Sequence, residues 1–189
     1  MDQGQRRARE EQAIVLDYLQ HGYPFDKRPS HKKTPIAQAV GCDHFTLLEL
    51  VPKQGVFLQP NEMVYIGVEK REKIHHIQGK LAFDKLTVTA QAELEHIAMD
   101  LVKKNEQRYV EWFNKAQPVT IRIHQLELLP GLGKKHVKAI LDARKEKEFE
   151  SFADMKARVK LMPDPVALIF RRILSELQGN EKHNVFVDR

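Results

Sequence analysis

The sequence contains a single cysteine, Cys42, among its 189 residues. One cysteine excludes a disulfide within the chain and any zinc site that is built from several cysteines. Long apolar runs are lacking too, since no stretch approaches the roughly 18 apolar residues that a membrane-spanning helix needs. The basic N-terminal residues have no apolar segment behind them, which is not the pattern of a secretory signal. These absences predict a cytoplasmic protein with no membrane partner.

Sequence signatures of catalysis are also lacking. The nine histidines form no His-Glu-x-x-His pattern, and the chain has no P-loop, no Gly-x-Ser-x-Gly and no Gly-x-Gly-x-x-Gly. Asp154 could be offered as a catalytic residue, but Ser151 three residues earlier makes a helix-capping box the better interpretation. We therefore expect no enzymatic activity and no organic cofactor.

The charge that is present has one sign in excess and is unevenly distributed. The formal net charge is +5, and residues 118–178 contain twelve Lys or Arg against eight Asp or Glu. A basic excess of this size is compatible with a polyanionic partner, although many soluble proteins carry as much.

The N-terminal half shows the period-two alternation of β-strands. Apolar segments bounded by Gly, Pro and charged residues recur over residues 13–19, 36–40, 45–51, 63–67 and 74–86. Several short strands without a helical pattern predict a small antiparallel barrel, and an OB-like five-stranded barrel has the right size. We expect this barrel over residues 13–88, preceded by a flexible arm over residues 1–12.

After residue 88, the spacing of the apolar residues changes to the period of an α-helix. Apolar residues then recur every three or four positions, with a polar gap at Asn105, which predicts one long connecting helix over residues 89–117. Residues 118–178 predict two helix–turn–helix units in tandem, the first with Thr120 as its N-cap and the second with Ser151 and Asp164 as the N-caps of its two helices. In the last helix, Arg171 and Arg172 are expected to point away from the apolar face. Residues 179–189 form a tail that either adds an edge strand or stays loose.

The first of these turns has the sequence Leu-Leu-Pro-Gly-Leu-Gly-Lys-Lys at residues 128–135. Its two glycines permit positive φ and close approach to the backbone. A glycine turn that opens a helix directs N–H groups and the positive end of the helix dipole outward, which suits a phosphate. The predicted phosphate-binding residues are Gly131, Leu132, Gly133, Lys134 and Lys135. The alternative is a structural turn without a ligand.

Other basic residues are candidate contacts to the same ligand. They lie in a proline-rich loop, in a charged turn between two strands and on the helix after the glycine turn: Arg28, Lys32, Lys33, Lys70, Arg71, Lys73 and Lys138. Phe45 and Tyr65 could stack on bases from a strand face. The more common role of such a strand aromatic is packing in the core.

Residues 128–135, followed by Ala139 and Ile140, closely resemble the helix-hairpin-helix motif of DNA- and RNA-binding proteins. The resemblance implies that the turn amides bind backbone phosphates without reading bases. Some hairpins of this kind hold a monovalent cation on turn carbonyls, which here would be those of Glu127, Leu129 and Leu132. Residues 151–177 look like a degenerate partner of the first hairpin, whose own turn lacks glycine.

Over residues 13–177 the chain also resembles an uncharacterised archaeal family to which RNA or nucleotide binding has been ascribed. Outside the hairpin, the resemblance depends on residues 26–29, 45–53, 64–67 and 113–118. It implies an α+β fold: an N-terminal OB-like antiparallel β-barrel, a long connecting helix and a C-terminal tandem helix-hairpin-helix domain. It supplies no established activity.

Together these observations predict a non-enzymatic nucleic-acid-binding protein that grips backbone phosphates, with RNA favoured over DNA. Two alternatives remain open at this stage. One is a protein-interaction adaptor in a ribosome or nucleic-acid-processing complex. The other is a DNA-junction binder.

Overall fold

The structure, a computed structural model, describes residues 9–27, 29 and 33–188. The chain divides into two compact units. The first contains the chain up to Ile97 together with the segment from Glu176 onward, and the second is Ala98–Ser175.

One antiparallel sheet of five strands dominates the first unit. In chain order the strands are β1 Gln12–Leu19, β2 Ile36–Gly41, β3 Leu47–Pro52, β4 Met63–Tyr65 and β5 Ile74–Lys80. Their order across the sheet is β4-β1-β2-β3-β5. Val15, Ala39, Leu50 and Ile74 belong to the buried core on one face of this sheet. The alternation in the sequence therefore does correspond to strands with a buried face.

The closed OB-like barrel predicted from the sequence is wrong. The strand order places β4 and β5 at the two ends of the sheet, and within the described residues no ladder joins them, so the sheet is a half-barrel. The predicted last strand ends early, because a 3-10 helix over Phe83–Lys85 follows β5. Closure requires a specific stagger between strands that are far apart in sequence, and alternation within each strand does not encode it.

The described residues form five α-helices: α1 Val88–Lys104, α2 Glu106–Lys115, α3 Lys134–Glu146, α4 Phe152–Arg158 and α5 Pro165–Leu177. The prediction of a single long connecting helix is therefore wrong, because α1 and α2 are two helices. Asn105 interrupts it with φ −104° and ψ 29°. The Asn105 side-chain amide donates to the Leu101 carbonyl at 2.9 Å, and such local bonding by Asn competes with helical hydrogen bonding.

The tandem helix-hairpin-helix layout is also wrong, because no helix starts at Thr120. The Val119 N–H donates to the Ile123 carbonyl at 2.8 Å, so that residues 118–124 form a narrow loop. The Thr120 hydroxyl accepts the N–H groups of Arg122 and Ile123 within this loop, at 3.2 and 3.1 Å. Threonine often satisfies nearby backbone groups in this way outside helices. Before the glycine turn, the chain completes only a 3-10 helix, Gln125–Leu128.

The predicted starts of α4 and α5 are confirmed. The Ser151 hydroxyl accepts the Asp154 N–H at 3.0 Å, and the Asp164 carboxylate accepts the Ala167 N–H at 3.0 Å. Both are the side-chain N-caps that the sequence indicated. In the part of the chain that the structure describes, no helix has the length and apolar character needed to cross a membrane.

A buried amide connects β2 to the start of α1. The Gln38 side chain donates to the Lys85 carbonyl at 2.9 Å and to the Tyr23 hydroxyl at 3.2 Å, and its oxygen accepts the Thr87 N–H at 2.9 Å. The Tyr23 hydroxyl donates to Glu49 at 2.6 Å. Burial, followed by this bond to a carboxylate, raises the pKa of Tyr23 to about 12. Because the amide is fully paired, its burial favours one position of α1 against the sheet.

A buried carboxylate holds the C-terminal tail, whose described residues form no strand. Glu176 is 1% exposed, and it accepts the N–H groups of Val185, Phe186 and Val187 at 2.8, 2.9 and 2.9 Å. Glu10 acts similarly in the first unit, accepting the N–H groups of Asp43 and Thr46 at 2.8 and 3.1 Å. Charged acceptors bonded to several amides in this way are strong local fasteners.

We expect Glu176→Ala to lower the free energy of unfolding by about 2–4 kcal/mol, because three N–H groups, two of them buried, would lose a charged acceptor. Urea denaturation followed by circular dichroism measures the change. Glu95→Ala is the matched control, since Glu95 is exposed on α1 and its loss should change stability by less than about 0.5 kcal/mol. Equal stabilities of the two variants would show that the tail is not held by Glu176.

Candidate phosphate-binding turn

The predicted phosphate-binding residues lie in one turn of the second unit and at the start of the helix that follows it. This glycine turn, residues 129–133, connects the 3-10 helix to α3, and the Leu132 N–H donates to the Leu129 carbonyl at 3.1 Å within it. Gly131 has φ +103°, a conformation that requires glycine. Leu129 and Leu132 are buried beneath the exposed glycines. The two leucines thus anchor the turn while its glycines face solvent.

Gly133 is the N-cap of α3, with an ordinary φ of −82°. A Cβ built at Gly133 would meet no atom within 4 Å, so the space above it is open. Helix geometry gives the N–H groups of the first turn no internal partner, and a glycine cap offers no side-chain oxygen to them. The first turn of α3 also contains no acidic residue. By contrast, Ser151 and Asp164 supply capping oxygens to α4 and α5.

Exposed cations surround this helix start. Lys134 and Lys135 are exposed in the first turn of α3, and Lys138 lies four residues after Lys134, on the same side of the helix. Sequence reasoning missed Arg171 of α5. Its Nη1 atom lies 3.5 Å from where a Cβ on Gly131 would be. No local pattern could have identified Arg171, since its position depends on how α5 packs against the turn.

Other cations of the second unit hold the chain together instead. The sequence suggested that Arg172, like Arg171, points away from the apolar face of α5, but Arg172 is 3% exposed and donates to the Leu128 carbonyl at 2.9 Å. Arg144 donates to the carbonyls of Phe113 and Ala116, each at 2.9 Å. The positive charge available to a ligand is therefore smaller than the composition indicates.

A second turn, residues 159–164, repeats part of the first. The Met162 N–H donates to the Val159 carbonyl at 3.2 Å, and Leu161 has φ +55° where the first turn has Gly131. However, the Leu161 side chain is 82% exposed, and the Asp164 carboxylate caps the helix that follows. A bulky side chain and a negative charge both oppose phosphate approach. Only the first turn is suited to a phosphate.

The candidate contacts in the first unit are used in different ways. Arg28 and Lys32 lie outside the described residues, whereas Lys33 is half-buried and Lys70 is exposed. The Arg71 Nε atom donates to the Gly67 carbonyl at 2.9 Å. Lys73 forms an ion pair with Glu62, which reduces its charge toward a ligand.

The two aromatic candidates do not present free rings. Phe45 is 1% exposed, so its proposed stacking on a base is wrong. Tyr65 is half-buried, and its hydroxyl accepts the Glu69 N–H at 3.2 Å. Both side chains contribute to the first unit itself.

The turn carbonyls proposed for a monovalent cation have partly defined surroundings. The Leu129 carbonyl already accepts the Leu132 N–H, which leaves it one lone pair. The cation at Glu127, Leu129 and Leu132 stays a prediction. Among the described residues, no group of three or more His, Cys, Asp or Glu side chains is arranged to hold a metal ion.

His124 caps the 3-10 helix that leads into the turn. Its Nδ1 atom accepts the Leu126 N–H at 3.1 Å, while the Glu127 carboxylate accepts the His124 N–H at 3.0 Å. Burial first, and then the nearby Arg144 charge, lower the pKa of His124 from its ordinary value, with Glu127 opposing them. The cap requires neutral histidine, because a protonated Nδ1 cannot accept a hydrogen bond.

A lowered pKa in the folded state means that the unfolded chain binds more protons as the pH falls below about 6.5. The stabilisation from this cap is therefore present at neutral pH and is lost on acidification. We expect the wild type to lose more unfolding free energy between pH 7.5 and pH 5 than His124→Asn, whose amide caps without titrating. Urea denaturation at the two pH values checks this. Parallel losses would exclude His124 as the titrating cap.

Comparison with known proteins finds similar proteins that match almost the whole chain. The family model described as "Protein of unknown function (DUF655)" matches residues 9–188. The "Uncharacterized protein MJ0038" of Methanocaldococcus jannaschii is 41% identical over 178 residues, which cover 94% of this chain and 79% of that protein. The crystal structure of Af1531 from Archaeoglobus fulgidus is 42% identical, covers 94% of this chain and 99% of its own, and superposes with a TM-score of 0.86. The chain belongs to the archaeal DUF655 family, whose function is unknown.

Proposed function

We propose that this protein is a non-enzymatic nucleic-acid-binding protein that grips backbone phosphates with its glycine turn. The supporting observation is the open start of α3, where a glycine N-cap is flanked by Lys134, Lys135 and Arg171. A phosphate there would accept backbone N–H groups, interact with the positive end of the helix dipole and be neutralised by nearby cations. A single cysteine favours the cytoplasm as its location.

The contacts of this phosphate site determine both the affinity and the selectivity that we expect of it. Sequence-independent phosphate binding typically gives dissociation constants of about 10⁻⁴ to 10⁻⁶ M, which weaken steeply with salt. It does not read bases or the sugar 2′-hydroxyl, because its donors meet only phosphate oxygens. RNA is the favoured polymer through the sequence resemblance, not through the turn.

The decisive change is Lys134→Glu together with Lys135→Glu. We expect at least a tenfold loss of affinity for an RNA duplex, and a salt dependence reduced by about two charges. Acidic residues are favourable at a helix N-terminus, so α3 should remain folded. Fluorescence anisotropy with labelled duplex from 50 to 200 mM salt measures both quantities.

Lys103→Glu with Lys104→Glu is the matched control, since these adjacent lysines are exposed at the opposite end of a helix, α1. It changes the net charge equally but leaves the turn intact. If both double variants lose the same affinity, binding depends on net charge and not on the turn. A DNA duplex of the same sequence, used as competitor, tests the preference for RNA.

A protein-interaction adaptor is the second candidate, and the loop over residues 118–124 favours it. Val119, Ile121 and Ile123 are 47%, 107% and 44% exposed there, and neighbouring exposed apolar side chains often mark contact surfaces. The DNA-junction alternative required two equivalent hairpins. It loses that premise, since the second turn carries Leu161 and Asp164.

The adaptor function predicts that Ile121→Asp lowers retention on a protein partner at least tenfold after nuclease treatment, because a charge would then have to be buried at the contact. Size-exclusion chromatography of nuclease-treated extract with quantitative immunodetection measures the shift. Ile121 is fully exposed, so the substitution should leave stability unchanged. If nuclease releases the wild type completely, the adaptor is excluded and the nucleic-acid function is favoured.

A further inference from the structure

A groove of about 510 Å³ lies in the first unit, where the loop after β1 meets the loop after β3. Tyr18 and Phe57 form its aromatic part, while His21, Lys33 and Lys53 supply its basic groups. We call it the basic groove. It is separate from the glycine turn, which belongs to the second unit.

The charge of this groove distinguishes it from three other cavities. Among the described residues, its lining includes two lysines and a histidine but no Asp or Glu. Each of the others contains carboxylates, exemplified by Asp84 in one, Glu11 in the second and Glu69 in the third. A concave surface with cations and no carboxylates favours an anionic ligand.

The aromatic part offers a ring face. Phe57 is 66% exposed, and its ring meets Tyr18 edge-on, with centroids 6.5 Å apart and planes at 84°. This contact leaves most of the Phe57 ring accessible. A flat ring beside cations provides the two interactions that single-stranded nucleic acid needs, namely base stacking and phosphate pairing.

The segment that carries Phe57 is fixed on both sides. Gly55 has φ +78°, and the Val56 N–H donates to the Lys53 carbonyl at 3.1 Å, which forms a tight turn. Leu58 is 3% exposed and belongs to the core. The ring is therefore held at the surface by its neighbours, so stacking on it requires little additional ordering of the protein.

The Lys53 ammonium already donates to the Arg71 carbonyl at 2.5 Å. Lys33 and His21 are therefore the groups best placed to contact a phosphate. Both belong to the segment between β1 and β2, whereas Phe57 belongs to the segment between β3 and β4. The groove thus combines elements that only the fold brings together.

We propose that the basic groove binds an unpaired base of single-stranded nucleic acid, with the base stacked on Phe57 and a neighbouring phosphate held by Lys33 and His21. The proposal rests on the nucleic-acid-binding function, and it adds a preference that the glycine turn lacks. The interior of a duplex cannot use this site, because both faces of each internal base pair are covered by neighbouring base pairs. The glycine turn accepts either form.

The test measures the affinity of Phe57 variants for an unstructured 12-nucleotide RNA, its DNA equivalent and a 12-base-pair RNA duplex. Loss of base–aromatic stacking corresponds to about a 5- to 150-fold change in affinity. We expect that loss for both single strands in Phe57→Ala and Phe57→Leu, whereas Phe57→Trp keeps the wild-type affinity. Duplex affinity should not change in any of them. Equal effects on RNA and DNA single strands are expected, since stacking does not involve the sugar.

Phe25→Ala is the matched control. Phe25 is 78% exposed, and its ring stacks on that of Tyr23 with centroids 5.0 Å apart, but it does not line the groove. It should bind both ligands as the wild type does. Wild-type affinity of Phe57→Leu for single strands would overturn the proposal, as would an equal loss for duplex or an equal loss in Phe25→Ala.

These measurements test the glycine turn and the basic groove independently of each other. If Lys134→Glu with Lys135→Glu weakens duplex binding while Phe57 variants behave as wild type, the glycine turn is supported and the groove is excluded. If single strands bind through Phe57 but the lysine variant changes nothing, the groove is supported and the turn is excluded. Absence of binding to every oligonucleotide contradicts both.

Discussion

The hydrogen bond from Arg172 to the Leu128 carbonyl is the interaction on which the candidate site depends. It joins a buried guanidinium of α5 to the last residue of the 3-10 helix, directly before the glycine turn. A buried cation is stable only when its donors are paired, so α5 and the turn constrain each other. Arg171, the next residue back along α5, then lies beside Gly131. One helix thus both fixes the turn and adds to its positive charge.

The other charged residues likewise divide into those that stabilise the fold and those that are exposed. Buried or half-buried groups such as Glu176, Glu10 and Arg144 are bonded to backbone amides or carbonyls, and they stabilise loops that have little regular structure. Lys134, Lys135 and Lys138 on α3 are exposed, and none of them has such a structural role in the contacts described. The buried charges thus serve the fold, whereas these lysines are accessible at the surface.

Residues with local signals were predicted well. The strands, the N-caps Ser151 and Asp164, and the exposed turn at Gly131 all follow from patterns within about ten residues, and the structure confirms them. Failures occurred where distant segments must pair, or where one residue has two possible local uses. Alternation indicated strands but not whether β4 and β5 pair, and Thr120 satisfied its own loop instead of capping a helix. The positive φ belongs to Gly131, whereas Gly133 supplies the open cap.

The sequence by itself determined the α+β composition, the glycine turn with its two lysines, and the lack of any catalytic signature, because each depends on residue types and short spacings. Tertiary structure decided that the sheet remains a half-barrel, that Arg171 joins the turn while Arg172 is buried, and that Tyr18 and Phe57 meet beside Lys33. These features arise from contacts between segments far apart in the chain. Their geometry follows from how the elements pack, which no local pattern encodes.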